Sequence, residues 1–128
     1  MNKTVIITGA TSGYGLAAAK KFKENGDTVI IASRNAEKVK NTVAEYGFDD
    51  GFVLDVTDFG KWEELKKYVC DKYGHADILV NNAGCGVKIA DVTEQSQETI
   101  DSAIAINLNG VIYGSKVFGE VMKNQKDG

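Results

Sequence analysis

Short apolar runs alternate with amphipathic helical patterns along the whole chain. Strands are predicted where apolar and β-branched residues are continuous, and helices where apolar residues recur every three or four positions. The predicted strands are 3–8, 28–32, 51–54 and 77–80. The predicted helices are about 12–25, 35–47, 58–73 and 96–123, the last of them long enough to be two helices end to end.

The alternation of strand and helix predicts an α/β fold with a parallel sheet. The strands are nearly continuous apolar runs, as expected when helices cover both faces of a doubly wound sheet. Right-handed crossovers between successive strands make the sheet parallel. We expect residues 1–128 to form one domain without an internal linker, although periodicity does not give the order of the strands.

Composition indicates a soluble protein of ordinary type. Hydrophobic residues make up 43% and charged residues 26%, and the net charge of −3 favours neither nucleic acid nor an anionic membrane as a partner. The uncharged stretch 102–115 is too short and too polar to span a bilayer. No signal peptide is evident, and Cys70 and Cys85 form no metal or disulfide pattern, so we expect a cytoplasmic protein without a bound metal.

The segment T-G-A-T-S-G-Y-G joins the first strand to the first helix. A glycine turn that leads into a helix N-terminus binds phosphate, because the first helical N–H groups have no intrahelical partner. Spacing alone is also compatible with a merely flexible turn, but the position inside a β-α-β unit favours phosphate binding. The glycines are Gly9, Gly13 and Gly15, which we assign to the exit from the strand, close approach of a pyrophosphate and helix–sheet packing, while Thr8, Thr11 and Ser12 add hydroxyls.

The end of the second strand carries a further signal for the kind of dinucleotide. An acidic residue here would bind a ribose 2′-hydroxyl, but the chain has Ser33 followed by Arg34. A guanidinium suits a 2′-phosphate, so NADP is favoured over NAD. The alternative is a solvent-facing arginine at the end of a strand.

Four ordered motifs resemble those of the short-chain dehydrogenase/reductase family. The glycine segment resembles the family's T-G-x-x-x-G-x-G turn, and Tyr14 lies where the family often has isoleucine, either lining the cofactor groove or only covering it. The motifs L-D-V, N-N-A-G and I-N-L-N-G follow in the family's order. The resemblance implies cofactor contacts by Asp55, Val56, Asn82, Ala83 and Gly84, and it implies an active-site role for Asn107, whose backbone would hold a water for proton transfer.

Each of these residues also has a plainer interpretation. Asp55 can be a turn former before a helix, Asn81 and Asn82 can cap a strand, and Asn107 can be a solvated or hydrogen-bonded polar residue on a helix. Gly110 and Gly114 are expected to permit close helix packing rather than to touch a ligand.

The resemblance implies a Rossmann-type sheet with strand order 3-2-1-4 and a dinucleotide across the carboxyl ends of strands one and four. In the family a Ser, a Tyr and a Lys that follow the fifth strand carry out carbonyl or alcohol chemistry. We therefore expect the cofactor-binding half of an NADP-dependent oxidoreductase, ending before strand five, inactive alone and homo-oligomeric. The alternative is a non-catalytic nucleotide-binding or assembly module on the same fold.

One pair of residues has the spacing of the family's Tyr-x-x-x-Lys motif in the wrong place. Tyr68 and Lys72 precede the N-N-A-G motif and lie late in a crossover helix. That position is near the amino ends of the strands, whereas ligands bind at the carboxyl ends. We therefore expect Tyr68 and Lys72 to have no catalytic role.

Overall fold

The structure, a computed structural model, describes residues 2–128. Its four parallel strands have the order β3-β2-β1-β4, which confirms the predicted sheet. The strands are β1 (Thr4–Thr8), β2 (Thr28–Ser33), β3 (Asp50–Val53) and β4 (Ile78–Val80). The α-helices are α1 (Gly13–Glu24), α2 (Ala36–Tyr46), α3 (Phe59–Tyr73), α4 (Gln97–Ile104) and α5 (Gly110–Gln125), and a short 3₁₀ turn covers Val92–Glu94.

Alternate residues of the central strands enter two separate hydrophobic cores. Ile6 and Ile30 pack on one face of the sheet with residues of α3 and α5, among them Trp62 and Phe118. Val5 and Ile7 pack on the other face with residues of α1 and α2. Every residue of β1 is buried, because helices cover the sheet on both sides there.

Polar caps fix where the crossover helices begin and end. The side chains of Asn35 and Asp58 accept hydrogen bonds from the backbone N–H groups of Lys38 and Lys61, at 3.0 and 3.2 Å. The predicted stop residue of α2, Gly47, has the left-handed conformation that a helix C-terminus favours. The two N-caps come shortly after the carboxyl ends of β2 and β3, so α2 and α3 begin at that edge of the sheet.

The last helical stretch is continuous but irregular. A π-helical turn over Ala105–Asn109 joins α4 to α5, so the two predicted helices are connected without a break. The apolar side chains of this stretch are only partly core: Ile104 and Leu108 are about half exposed, whereas Val117 and Phe118 are buried. Farther along α5, Gly114 lies so close to Trp62 that an added Cβ would come within 2.6 Å of its ring, which confirms the predicted packing role.

None of the helices between residues 2 and 128 has the length and apolar character needed to cross a bilayer.

Tyr68 and Lys72 lie at the amino edge of the sheet, as expected. Both bind the side chain of Asp50, the first residue of β3, with the Tyr68 hydroxyl at 2.6 Å and the Lys72 ammonium at 2.7 Å. The Tyr73 hydroxyl donates a third bond to the same carboxylate at 3.0 Å. This cluster ties α3 to β3, at the end of the sheet opposite the carboxyl ends of the strands.

The cluster shifts the titration of its members. Burial alone would raise the pKa of Asp50, but hydrogen bonds from Lys72, Tyr68 and Tyr73 together lower this pKa below its ordinary value. Burial and the neighbouring carboxylate raise the pKa of Tyr73 to about 12. The ionised carboxylate is therefore the form that the folded chain stabilises.

We expect Asp50→Asn to lower the free energy of unfolding by about 1–3 kcal/mol at pH 7, because charge-assisted hydrogen bonds are lost. A lowered carboxyl pKa contributes stability above the unfolded pKa of about 3.9, and this contribution disappears as the pH falls through the folded pKa. The difference between the two proteins in urea unfolding should therefore shrink below about pH 4. Asp71→Asn, which removes an exposed pair with Lys67, is the control and should have a much smaller effect. Equal effects of the two substitutions would contradict the structural role of Asp50.

Candidate functional site

A cleft of about 400 Å³ opens at the carboxyl edge of the sheet, where the predicted site residues were expected to meet. Its walls come from the β1–α1 turn, the ends of β2 and β3, the loop after β4 and the π-helical turn. The predicted residues that line it are Gly9, Thr11, Ser12, Tyr14, Ser33, Arg34, Val56, Asn82, Ala83 and Gly84. Thr8, Gly13, Gly15, Asp55 and Asn107 were also predicted but do not line it.

The β1–α1 turn requires glycine at two positions for different reasons. Gly9 has a φ of +65°, and an added Cβ would lie 2.9 Å from the Cα of Ala83. Gly13 has a φ of +57°, but no atom lies within 4 Å of its Cβ position. The space that a side chain at Gly13 would occupy is therefore open, and its positive φ favours glycine there.

Gly15 brings the start of α1 against the turn that precedes it. An added Cβ would lie 2.5 Å from the carbonyl oxygen of Gly9 and would also overlap the side-chain amide of Asn82. The predicted close packing is present, and its partners are the turn and the loop after β4. No side chain can be added here without moving the wall of the cleft.

Thr8 and Asn82 join the two loops that form the floor of the cleft. The Thr8 hydroxyl accepts hydrogen bonds from the backbone N–H groups of Asn82 and Ala83, at 3.0 and 2.9 Å. The Asn82 side-chain amide donates to the carbonyl oxygens of Thr8 and Gly9, both at 3.1 Å. Thr8 is buried, and in this structure its hydroxyl holds the loop after β4.

The amino end of α1 is suited to an anion. Ser12 is the N-cap residue, yet its side chain makes no capping hydrogen bond, so the hydroxyl remains available on the cleft wall. The first turn of α1 contains no acidic residue. Unpaired N–H groups and the helix dipole therefore act together at this point.

Tyr14 is the exposed aromatic residue of the cleft. Its side chain is 91% exposed, whereas the other aromatic side chains are buried or half-buried. Because it lines the cleft, the first of the two sequence interpretations, a residue of the groove itself, is the one the geometry supports.

Asp55 forms a turn before α3, as its plainer interpretation predicts, and the implied ligand contact remains a prediction. Its carboxylate accepts hydrogen bonds from the hydroxyl and the backbone N–H of Thr57, at 2.7 and 2.9 Å. These bonds lower the pKa of Asp55, and the charge of Arg34 makes a smaller contribution in the same direction. The neighbouring Val56 does line the cleft.

Asn107 acts through its side chain on the loop after β4. Its Oδ1 accepts from the backbone N–H of Cys85, and its Nδ2 donates to the Cys85 carbonyl, both at 2.8 Å. The implied role concerned the Asn107 backbone, so the sequence did not predict this contact. Both side-chain polar atoms are used, which agrees with the plainer interpretation of a hydrogen-bonded polar residue on a helix.

Four residues of the cleft wall were not predicted from the sequence. They are Ala32, Leu54, Cys85 and Ile106. All four adjoin predicted site residues in the chain, and that adjacency was the available signal. Their side chains carry no ionisable group other than the Cys85 thiol, so chemistry-based reasoning had no reason to select them.

Comparison with known proteins points to one family. A family model described as short chain dehydrogenase matches residues 3–128. The 3-oxoacyl-[acyl-carrier-protein] reductase FabG of Thermotoga maritima is 36% identical over 130 residues, which cover 98% of this chain and 52% of the relative. Oxidoreductase BOA17 of Botryotinia fuckeliana is 35% identical over 130 residues, which cover all of this chain and 47% of the relative.

Solved structures show the same architecture. An alcohol dehydrogenase from the archaeon Thermococcus sibiricus, complexed with 5-hydroxy-NADP, superposes with a TM-score of 0.87 at 29% identity. The match covers 99% of this chain and 56% of that one. The chain thus spans about half the length of the curated relatives it matches.

Proposed function

The chain belongs to the short chain dehydrogenase family, and we propose that its cleft binds NADP(H) as the cofactor-binding domain of an oxidoreductase. The family's cofactor is a nicotinamide dinucleotide, which supplies a hydride when bound. The substrate class proposed for the whole protein is a small carbonyl compound or alcohol. A cytoplasmic location and the absence of nucleic-acid and membrane partners remain part of the proposal.

The geometry of the cleft supports a dinucleotide. The unpaired N–H groups that begin α1 and the uncapped Ser12 hydroxyl, which lines the cleft, would hold the pyrophosphate. The loop that Thr8 and Asn82 hold in place would lie against the ribose. The cleft wall around the β1–α1 turn has no room for a side chain at Gly9 or Gly15. This wall is the main support for the proposal.

The choice of NADP over NAD depends on Arg34. It is the only arginine of the chain, it lines the cleft at the end of β2, and the preceding Ser33 is not acidic. A guanidinium binds phosphate with two parallel hydrogen bonds, whereas a ribose hydroxyl has no charge for it to pair with. The Thermococcus sibiricus relative, whose complex holds an NADP derivative, is consistent with this choice.

We expect Arg34→Ala to weaken NADPH binding by about tenfold or more and to leave NADH binding nearly unchanged, because one charge-assisted contact is lost. Fluorescence titration of each dinucleotide measures both constants on the same protein. Equal losses for NADPH and NADH would overturn the assignment to the 2′-phosphate. A failure to bind either dinucleotide would overturn the proposed function itself.

The described residues that line the cleft include no Tyr–Lys pair. Tyr68 and Lys72 are bound to Asp50 at the opposite edge of the sheet. A phenol of ordinary pKa is a poor proton donor at neutral pH without a neighbouring cation. We therefore propose that residues 2–128 hold the cofactor without supplying the proton donor.

The chain should accordingly show no significant oxidation of NADPH with a broad panel of aldehydes and ketones. Absorbance at the nicotinamide band follows the reaction, and Tyr68→Phe serves as the control variant. Turnover that this substitution abolishes would show that Tyr68 is catalytic. Binding without turnover is compatible with the family activity and with a non-catalytic module, and activity restored by a longer form of the chain would distinguish them.

We also propose that the chain self-associates. β4 pairs only with β1 among the described strands, so its other edge exposes backbone groups that can pair with another strand. Apolar side chains about half exposed continue along α4 and the π-helical turn into α5.

Light scattering should therefore give a mass above 13.8 kDa that rises with concentration. The paired substitution Ile104→Ser with Leu108→Ser should reduce the association. A monomer at all concentrations would contradict the proposal.

A further inference from the structure

A second cleft of about 500 Å³ lies beside the first at the amino end of α2. Its lining residues are Thr11, Ser33, Arg34, Asn35 and Lys38. The first three also line the main cleft, so the two spaces are continuous. A ligand that extends past Ser33 and Arg34 would therefore enter the second cleft.

The second cleft has two cations in its lining and no carboxylate. In the part of the chain that the structure describes, neither Arg34 nor Lys38 forms an ion pair within 4.0 Å. Glu37 lies in the first turn of α2 but does not line the cleft. The nearby Asp55 is hydrogen-bonded to Thr57. Both positive charges can therefore pair with an anionic ligand, while the charge of Arg34 also acts on Asp55 at longer range.

Lys38 stands where helix electrostatics disfavours a cation. It is the third residue of α2, and its backbone N–H is held by the Asn35 cap at 3.0 Å. The first turn of a helix carries partial positive charge and prefers acidic side chains. A bound anion would relieve the repulsion between Lys38, the helix terminus and Arg34.

We propose that Lys38 is a second specificity-determining residue, which binds the 2′-phosphate of NADP(H) together with Arg34. The inference rests on the proposed cofactor and adds a residue that the sequence motifs did not single out. Arg34 offers a planar pair of donors, and Lys38 adds a flexible point charge from the side of α2. Both charges act on the phosphate alone, so NAD(H) should not sense Lys38.

The test compares three single variants by isothermal titration with NADP⁺ and NAD⁺. Lys38→Ala should weaken NADP⁺ binding by about threefold to tenfold, because an exposed charge pair contributes modestly. Lys38→Arg keeps the positive charge and should largely preserve the binding. Neither Lys38 variant should change the binding of NAD⁺. The matched control is Lys40→Ala, an exposed lysine of the same helix outside both clefts, which should stay within about twofold of the parent for both ligands.

Ionic strength gives a second readout of the same charge. Raising salt from about 0.01 M to 1 M shortens the Debye length from about 30 Å to about 3 Å. The preference for NADP⁺ over NAD⁺ should fall more steeply with salt in the parent protein than in Lys38→Ala. Identical slopes would overturn the role of Lys38.

The outcomes separate this inference from the proposed function. If Lys38→Ala and Lys40→Ala have the same effect, Lys38 contributes only to the general field and the inference is wrong. If Arg34→Ala still reduces NADP⁺ binding selectively in that case, the proposed cofactor stands. If neither Arg34→Ala nor Lys38→Ala changes the preference, both the inference and the choice of NADP are wrong.

Discussion

The cleft depends on the hydrogen bonds between Thr8 and Asn82, which join segments more than 70 residues apart in the chain. Parallel strands place the ends of β1 and β4 side by side, but pairing alone does not fix the loops beyond them. The Thr8 hydroxyl and the Asn82 amide do so by satisfying backbone groups of both loops. Gly9 and Gly15 are then required, because the locked loops leave no space for a side chain at either position.

This arrangement explains how a ligand site can be built mainly from backbone. The start of α1 offers N–H groups and a dipole, and the residues around it provide hydroxyls without carboxylates. The charged side chains lie on one side only, with Arg34 at the end of β2 and Lys38 at the start of α2. The proposed NADP(H) would place its pyrophosphate at the start of α1 and its additional phosphate beside the two cations.

The strands, the helices and the glycine turn could be predicted because they depend on local patterns. Strand order came from the family resemblance, since periodicity is the same for every order of parallel strands. The roles of Thr8 and Asn107 could not be predicted, because a hydroxyl or an amide may face a ligand or the backbone of a distant loop. Spacing alone is equally insufficient for Tyr68 and Lys72. Their spacing matches a catalytic motif, yet their place in the crossover helix puts them beside Asp50.

A crystal structure of the chain grown with NADP⁺ tests the central claim most directly. The account predicts the pyrophosphate at the amino end of α1, within about 3 Å of backbone N–H groups of the β1–α1 turn, and the 2′-phosphate in contact with Arg34. A dinucleotide bound elsewhere on the chain, or one whose adenine ribose points away from the end of β2, would contradict it.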